Sequence, residues 1–506
     1  MVDFVKKNRL AILIFTILTA LFFASRLYNI LSLPIFTDEA IYTRWSQIAK
    51  NDANWRFISL TDGKQPMFVW LDIVSMRIIQ EPLLAGRLVS VFGGFFTMIG
   101  LFFLGREVFY NRLAGFTSAI AYLIYPFALV YDRMALYDTL VGTFAVWALY
   151  FSIVLVRRLR LDTALILGMV TGAGVLTKTS GFFNIYLLPF FLFIFKWNEK
   201  RKMTRFLRWV GLSSIAVVLT YGYYSIVKLS PFANIIDEKN AIFVYPFRDW
   251  LIHPFTFLYG NLVGQWDWFT KYITPSGIVL IVLSFLISLK FFREKIFLVL
   301  WFAIPFIALA LFGRVLYPRF ILFMTLSLLP LIGFSIYQLI DIVKNKWLLT
   351  LLFLLLLIIP IRVDYFILQK FSQAPIPDSD LNQYSNDWPS GDGIRESINF
   401  FEEQARKGKI YIATQGTFGL LPYSLEIYLN KNKNITIQGF WPIEENVPDE
   451  VIKASKKMPT YFVFYQPCVK CMGIGLAPET WKSIGLIYQK EKAKGLRFFS
   501  IYKITP

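Results

Sequence analysis

The chain has 506 residues, of which 56% are hydrophobic, 18% are aromatic and only 17% are charged. A soluble globular protein carries about 25% charged residues. The composition therefore excludes a soluble globular protein, because a protein core cannot bury so much apolar sequence without lipid, and it indicates a chain that crosses a membrane many times.

The apolar residues occur in runs that, with their flanking residues, approach the length of about 20 residues needed to span a bilayer. The runs are 11–24, 88–104, 113–131, 140–156, 163–177, 182–195, 209–227, 277–292, 296–312, 320–340 and 347–361. The first is interpreted as an uncleaved span, because no small-residue cleavage site follows it and Arg26 comes directly after. The sequence therefore predicts about eleven spans.

Basic residues are concentrated in every second gap between these runs, and the net charge is +19. The clusters are Lys6-Lys7-Arg9, Arg106 with Arg112, Arg157-Arg158-Arg160, the stretch 196–208, Arg293 with Lys295, and Lys344 with Lys346. Under the positive-inside rule they mark cytoplasmic loops and a cytoplasmic N-terminus. Attraction to the anionic inner leaflet accounts for this charge, so no nucleic-acid partner is expected. The remaining gaps, among them 31–82 and everything after 362, are predicted to be extracytoplasmic.

The first outer loop begins with the stretch "LPIFTDEAIYTRW" (33–45), which holds the adjacent carboxylates Asp38 and Glu39. The apolar residues after them follow helical spacing and predict an amphipathic helix on the membrane surface. Asp38 therefore has two compatible interpretations, as a helix cap and as a rigidly held functional carboxylate. Further along, Lys64 lies in a Gly-Lys-Gln-Pro turn, where it either contacts a lipid phosphate or simply snorkels to the interface.

Further charged residues fall at outer ends of the predicted spans. They are Arg87, the pair Asp132-Arg133 with Asp138 in "LVYDRMALYDTL", Lys178 in a Thr-Lys turn, and Arg314 and Arg319 around Tyr317 in "GRVLYPRF". Positive charge is not favoured on the outer side by topology. Binding of an anionic lipid headgroup is the simplest physical reason for Lys64, Arg87, Lys178, Arg314 and Arg319 to be there.

The remaining metal-binding residue types give weak signals. His253 is the only histidine of the chain, and the two cysteines, Cys468 and Cys471, form one CxxC motif. Such a set cannot build an ordinary four-ligand zinc site from Cys and His alone. His253 is therefore a weak metal candidate, no cofactor is expected to be required, and the cysteines are interpreted as a local disulfide or as two inert thiols, with a redox motif as the alternative.

The sequence changes character after residue 361. Short β-like runs occur at 409–414, 434–440, 460–465 and 496–504, with helical patterns at about 393–406 and 449–457. The chain is therefore predicted to be mainly α, with a membrane helical domain over 1–361 and an extracytoplasmic α/β domain over 362–506. The polar stretch 372–393 is interpreted as a linker or an ordered loop.

Together these motifs resemble the GT-C superfamily of membrane glycosyltransferases over about residues 1–340. The resemblance is to the protein O-mannosyltransferases and the lipid A aminoarabinose transferase. It is carried by an Asp-Glu pair after the first span, a Lys-x-Pro turn, an Asp-Arg turn, a Thr-Lys turn and a Tyr-Pro-Arg turn before a late span. It implies a multi-pass enzyme of the cell membrane that transfers a sugar, with inversion, from a polyprenyl-phosphate carrier to a protein, lipid or glycan acceptor on the outer face.

The resemblance also implies roles for individual residues. Asp38 matches the first acidic position, Glu39 its neighbour, and Asp132 the second acidic position, while Lys64 matches the lysine that contacts the carrier phosphate. The further phosphate partners implied by position are Arg87, Lys178, Arg314, Tyr317 and Arg319. One departure stands out: the aminoarabinose enzyme has a glutamate, as part of a zinc site, where this chain has Gly63.

A chemical mechanism follows from these roles. Inversion requires a single displacement at the anomeric carbon, cations stabilise the departing lipid phosphate, and Asp38 serves as base for the acceptor hydroxyl. The alternative is a transporter or flippase of lipid-linked glycans, for which charges near mid-membrane are expected. A non-catalytic scaffold is the third hypothesis, but it leaves the cations at the outer turns unexplained.

Overall fold

A computed structural model describes residues 2–443, 446–465, 481, 484–492 and 498–506, with side chains from residue 8 onward. The chain is mainly helical, and its strands form one small sheet near the C-terminus. The prediction of a mainly α membrane protein with a C-terminal α/β region is thereby confirmed.

The helices follow one another along the whole chain and are interrupted by strands only in the C-terminal region. They are α1 (Val2–Leu27), α2 (Thr37–Asn51), α3 (Met67–Ile78), α4 (Pro82–Phe109), α5 (Arg112–Leu123), α6 (Pro126–Tyr131), α7 (Tyr137–Arg158), α8 (Leu161–Thr177), α9 (Phe183–Tyr186), α10 (Lys202–Tyr224), α11 (Ile235–Phe243), α12 (Phe247–Ile252), α13 (Leu258–Leu286), α14 (Phe292–Phe312), α15 (Leu322–Thr325), α16 (Leu329–Ile342), α17 (Lys346–Gln369), α18 (Asp378–Leu381), α19 (Ile394–Lys407), α20 (Leu420–Leu429) and α21 (Asp449–Ser455). The strands are β1 (Ile410–Gln415), β2 (Ile435–Phe440), β3 (Thr460–Phe464), β4 (Ile484–Glu491) and β5 (Phe498–Ile504).

Within the described residues, eight helical segments are long and apolar enough to cross a membrane, fewer than the eleven or so predicted. The other three predicted runs are helical but short or interrupted. Run 113–131 is divided into α5 and α6, with Pro126 in the first turn of α6, and run 182–195 consists of α9 and a 3₁₀ segment that opens around Pro189. Proline lacks an amide hydrogen and starts a helix more readily than it continues one.

The basic loops contact one another at one end of the bundle. Arg157, at the end of α7, forms ion pairs with Glu107 at 3.3 Å and with Glu294 at 3.5 Å. Arg112, at the start of α5, donates to Asn8 at 3.1 Å. The helix starts and turns that carry Asp38, Lys64 and Arg319 meet elsewhere, around one cavity.

The C-terminal sheet has the strand order β2-β1-β3-β5-β4. Strands β1, β2 and β3 are parallel, while β5 pairs antiparallel with β3 and β4. One face packs on α19 and α20 through Ile412 and Val463, and the other packs on α21 through Phe462. Both faces of the central strands are therefore buried, which is why β1 and β3 are mostly apolar.

This C-terminal region contacts the start of α2 directly. The backbone amide of Thr37 donates to the Pro389 carbonyl at 3.0 Å. Near the middle of α2, Arg44 forms an ion pair with Glu426 of α20 at 2.6 Å. Cys468 and Cys471 lie outside the described residues, so their pairing stays a prediction.

Candidate active site

A cavity of about 360 Å³ lies between the loop 31–82 and the ends of several membrane helices. Charged residues from several separate segments line it: Asp38, Lys64, Asp138, Lys178, Lys239 and Arg319. Its apolar wall includes Phe182, Phe183, Phe243, Phe320, Phe323 and Met324. The cavity thus combines a charged region with an aromatic wall, which suits an amphipathic ligand that carries an anion.

Asp38 lies in the first turn of α2, where a carboxylate is favoured by the helix dipole. The neighbouring Glu39, rather than Asp38, closes the cap by accepting the Phe36 amide at 3.0 Å. Asp38 is thereby left directed into the cavity, with 24% of its side chain exposed. Its Oδ2 atom accepts from Arg319 Nη2 at 3.1 Å.

Lys64 follows Gly63, which has a left-handed backbone with φ of 65°. A Cβ atom at position 63 would lie 2.5 Å from the Lys239 Cβ and 2.6 Å from the Ile235 carbonyl oxygen. Only glycine therefore fits this turn, which gives a steric reason why no glutamate precedes Lys64.

The Lys64 ammonium forms no salt bridge with any residue the structure describes, and it lies 5.3 Å from the centre of the Phe243 ring. Burial lowers the pKa of Lys64, while the nearby Asp38 carboxylate opposes that shift and Lys178 reinforces it. A desolvated cation without a counter-ion is prepared to bind an anionic ligand.

Lys178 is paired within the protein. Its Nζ atom donates to Asp138 Oδ1 at 2.7 Å and lies 4.4 Å from the centre of the Phe320 ring. The second oxygen of Asp138 lies 4.0 Å from Arg319 Nε. Asp138 therefore holds two of the cavity's cations, Lys178 and Arg319, on one side of the site.

Glu39 and Arg87 lie away from the cavity wall, in a fully buried ion pair. Two hydrogen bonds of 2.8 Å join the guanidinium to the carboxylate, which also accepts the Ala135 amide at 2.7 Å. Arg87 further donates to the carbonyls of Ile30 and Leu33. Because all their groups are engaged inside the protein, we assign both residues to holding the loop 31–82 in place rather than to binding substrate.

Asp132 is buried as well, and it does not line the cavity. It forms an ion pair with Arg26 at 3.2 Å, and the Tyr122 hydroxyl donates its one hydrogen to the carboxylate, 2.9 and 3.1 Å from the two oxygens. Burial raises the pKa of the Asp132 carboxyl to about 6, with Arg26 opposing that rise. The carboxylate packs against Gly94, where a Cβ atom would approach it to 2.5 Å. Asp132 therefore joins α1 to the turn before α7.

The remaining predicted site residues lie at the margin or elsewhere. Arg314 is exposed, with its guanidinium 5.7 Å from the centre of the Tyr245 ring. The Tyr317 ring packs 4.6 Å from the Arg319 guanidinium and so supports that side chain. His253 is exposed at the end of α12. The described residues contain no group of three His, Cys, Asp or Glu side chains that could hold a metal ion.

Two charged residues of the cavity wall were not among the predicted site residues. Asp138 stands in the same sequence motif as Asp132. Asp132 is followed by Arg133, whereas Asp138 has no charged neighbour in sequence, and this difference is the signal that favours Asp138 as a site residue. Lys239 lies on α11, where it forms an ion pair with Asp62 at 2.5 Å. No feature of the sequence near Lys239 distinguishes it from an ordinary surface lysine.

The helical architecture and the C-terminal sheet together form a fold of the GT-C type, as the sequence motifs indicate. The chain aligns with ArnT from Cupriavidus metallidurans bound to undecaprenyl phosphate at a TM-score of 0.59 and 14% identity, covering 98% of each chain. It aligns with an Archaeoglobus fulgidus oligosaccharyltransferase tethered to an acceptor peptide at a TM-score of 0.53 and 12% identity, covering 91% of this chain and 69% of that one.

The sequence comparison matches part of the chain to one family model. Residues 63–224 match the model of the dolichyl-phosphate-mannose-protein mannosyltransferase family. A search of curated proteins finds no match. The matched segment includes Lys64, Asp138 and Lys178 of the cavity wall, whereas Asp38 and Arg319 lie outside it.

Proposed function

We propose that this protein transfers a sugar, with inversion, from a polyprenyl-phosphate carrier to an acceptor on the outer face of a cell membrane. One observation carries the proposal: Asp38, Lys64, Lys178 and Arg319 line a single cavity that also has an aromatic wall. A carboxylate base, several cations and an apolar wall are what a sugar joined to a lipid phosphate would require.

Lys64 is proposed as the principal ligand of the donor phosphate. It is the cavity cation for which the structure describes no salt bridge, whereas Lys178, Lys239 and Arg319 each contact a carboxylate. A phosphate oxygen would therefore gain a charge-assisted hydrogen bond without first breaking an ion pair. The aromatic wall around Phe183 and Phe323 would receive the start of the lipid chain.

The chemistry requires one bond to form as another breaks. The acceptor oxygen attacks the anomeric carbon, the bond from that carbon to the phosphate oxygen breaks, and the polyprenyl phosphate leaves with the bonding electrons. Asp38 takes the proton of an acceptor hydroxyl, and Lys64 and Lys178 stabilise the charge that develops on the leaving phosphate. Arg319 donates a hydrogen bond to Asp38 and so fixes the position of this carboxylate. If the acceptor is itself a phosphate, Asp38 only positions it.

The proposed orientation places the N-terminus in the cytoplasm and the C-terminal domain, together with the cavity, outside. It is supported by the contacts that gather the basic loops at one end of the bundle. The donor, the membrane lipids and a protein, lipid or glycan acceptor are the proposed partners, and the sugar is left open.

A reconstitution experiment tests the proposal. The purified protein in liposomes is given a panel of radiolabelled polyprenyl-phosphate sugars, with a total membrane extract as the source of acceptors, and release of the bare carrier is measured. Carrier release with at least one donor supports the transferase. Movement of intact donor between leaflets without any release would instead support a flippase, the alternative function.

A further inference from the structure

A buried cluster of three tyrosine hydroxyls and the Asp380 carboxyl adjoins Arg319. Asp380, in α18, is fully buried and accepts hydrogen bonds from the hydroxyls of Tyr131, at 2.7 Å, and Tyr272. The Tyr131 and Tyr384 hydroxyls are 3.1 Å apart. All three tyrosines are buried, so this polar cluster is shielded from water by α6, α13 and the segment 378–386.

The donors of this cluster can be assigned by counting protons. Each tyrosine hydroxyl has one hydrogen to donate. The Tyr131 hydrogen is used on Asp380, so the Tyr384 hydroxyl must be the donor to Tyr131. The Tyr384 oxygen is then free to accept, and Arg319 Nη1 donates to it at 3.3 Å. A directed chain of hydrogen bonds therefore runs from the Arg319 cation through two hydroxyls to the Asp380 carboxyl.

A second contact fixes the same nitrogen. Arg319 Nη1 also donates to Gln383 Oε1 at 2.9 Å. The other terminal nitrogen, Nη2, donates to Asp38. Because a guanidinium is planar and rigid, holding Nη1 sets the direction in which Nη2 points.

We infer that segment Asp378–Asn386 completes the candidate active site, with Gln383 and Tyr384 as positioning residues for Arg319 and Asp380 as the anchor of the chain. The reaction assigned to that site rests on the proposed function. The stretch 372–393 is thus more than a connection between the last membrane helix and the C-terminal sheet, since it supplies two of the groups that aim Arg319 at Asp38.

The test compares three single substitutions. Tyr384→Phe removes one hydroxyl and keeps the ring that packs 4.9 Å from Phe36. Gln383→Met removes the amide at a half-buried position, where misfolding is a small risk. Tyr125→Phe is the matched control, because Tyr125 is also buried. Its hydroxyl lies 2.8 Å from the Thr325 hydroxyl and takes no part in the hydrogen bonds between Arg319 and Asp380.

The readouts are kcat and donor KM for carrier release, both corrected for the folded fraction. A misdirected Arg319 should lower kcat about tenfold in both test variants and change KM by less than about threefold. A merely structural role would leave kcat per folded molecule unchanged.

The outcomes separate the two proposals. An inactive wild type with every donor would overturn the proposed function. An active wild type, with Tyr384→Phe and Gln383→Met both matching Tyr125→Phe in kcat and KM, would overturn the positioning role alone. Reduced kcat with a nearly unchanged KM in both variants supports it.

Discussion

Arg319 Nη2 lies 3.1 Å from Asp38 Oδ2, and this contact joins two segments that are 281 residues apart in sequence. Asp38 begins the helix after the first span, and Arg319 lies in a 3₁₀ turn before the last two membrane helices. The pair is part of a line of charges, Lys178–Asp138–Arg319–Asp38, along one side of the cavity. Lys64 lines the same cavity without a salt bridge to the described residues, which makes it the available cation.

Replacing Lys64 with methionine should weaken binding of the bare carrier. A charge-assisted hydrogen bond contributes about 1.5–3 kcal/mol, and each 1.4 kcal/mol is about tenfold in affinity, so the Kd for undecaprenyl phosphate should rise about 10- to 100-fold. Lys228→Met is the control, since Lys228 is exposed and does not line the cavity. Equal affinities for the two variants would remove Lys64 as the phosphate ligand.

Carrier binding should also weaken as the pH becomes alkaline. Burial lowers the pKa of Lys64 below the ordinary lysine value of 10.5. Only the protonated ammonium binds phosphate well, so affinity should decline as pH rises through that lowered pKa. Lys64→Arg keeps its charge at any such pH and should bind with a flatter pH profile. A wild-type profile as flat as that of Lys64→Arg would contradict this account.

Asp138→Asn and Asp132→Asn should fail in different ways. Asp132→Asn leaves Arg26 buried without its counter-ion, which should destabilise the fold by about 3–5 kcal/mol and lower the thermal midpoint in detergent. Asp138→Asn frees Lys178 inside the cavity. It should bind bare undecaprenyl phosphate about two- to tenfold more tightly and turn over more slowly, because the product leaves late. The same loss of stability and activity in both variants would refute the distinction.

The buried pair Glu39–Arg87 should matter for stability. Glu39→Gln or Arg87→Met leaves one charge buried without its partner, which should cost about 3–5 kcal/mol and appear as a lower thermal midpoint. Arg160→Gln breaks an exposed pair, whose partners are 65% and 53% exposed, and should leave the thermal midpoint almost unchanged, because solvent screens such pairs. Similar midpoints for Glu39→Gln and Arg160→Gln would argue against a structural role for Glu39.

Much of the fold could be predicted from hydropathy, since every apolar run is largely helical. The breaks near Pro126 and Pro189 could not, because hydropathy measures how apolar a run is and carries little information about its backbone. In the C-terminal region, α20 was missed because Pro422 interrupts its pattern. Strand β4 was missed because it is an edge strand with mixed polar residues.

The site could be predicted in part from where charge is disfavoured. Positive residues at outer turns led to Lys64, Lys178 and Arg319, all of which line the cavity. The choice between Asp132 and Asp138 needed the structure. Arg133 looks like the partner of Asp132 in sequence, yet Arg133 donates to backbone carbonyls of Ser25 and Asn29 while Asp132 pairs with Arg26.

Contacts between residues that are far apart in sequence could not be predicted from the sequence. Gln383 and Tyr384 stand in a polar, proline-containing stretch that is typical of a linker. Their role depends on packing against Arg319, which lies 64 and 65 residues earlier. Glu39 shows the reverse case: it adjoins Asp38 in sequence, yet the helical turn directs it to Arg87 and away from the cavity.

The most direct test of the central claim measures release of bare carrier from a radiolabelled polyprenyl-phosphate sugar by Asp38→Asn in liposomes. Asp267→Asn is the control, because Asp267 is an exposed carboxylate paired with Lys271 on α13. With a donor that wild type uses and a hydroxyl acceptor, Asp38→Asn should be slower by about 10²- to 10⁴-fold, the usual contribution of a general base, while donor binding is retained. Release by Asp38→Asn at the rate of wild type and Asp267→Asn would contradict the account.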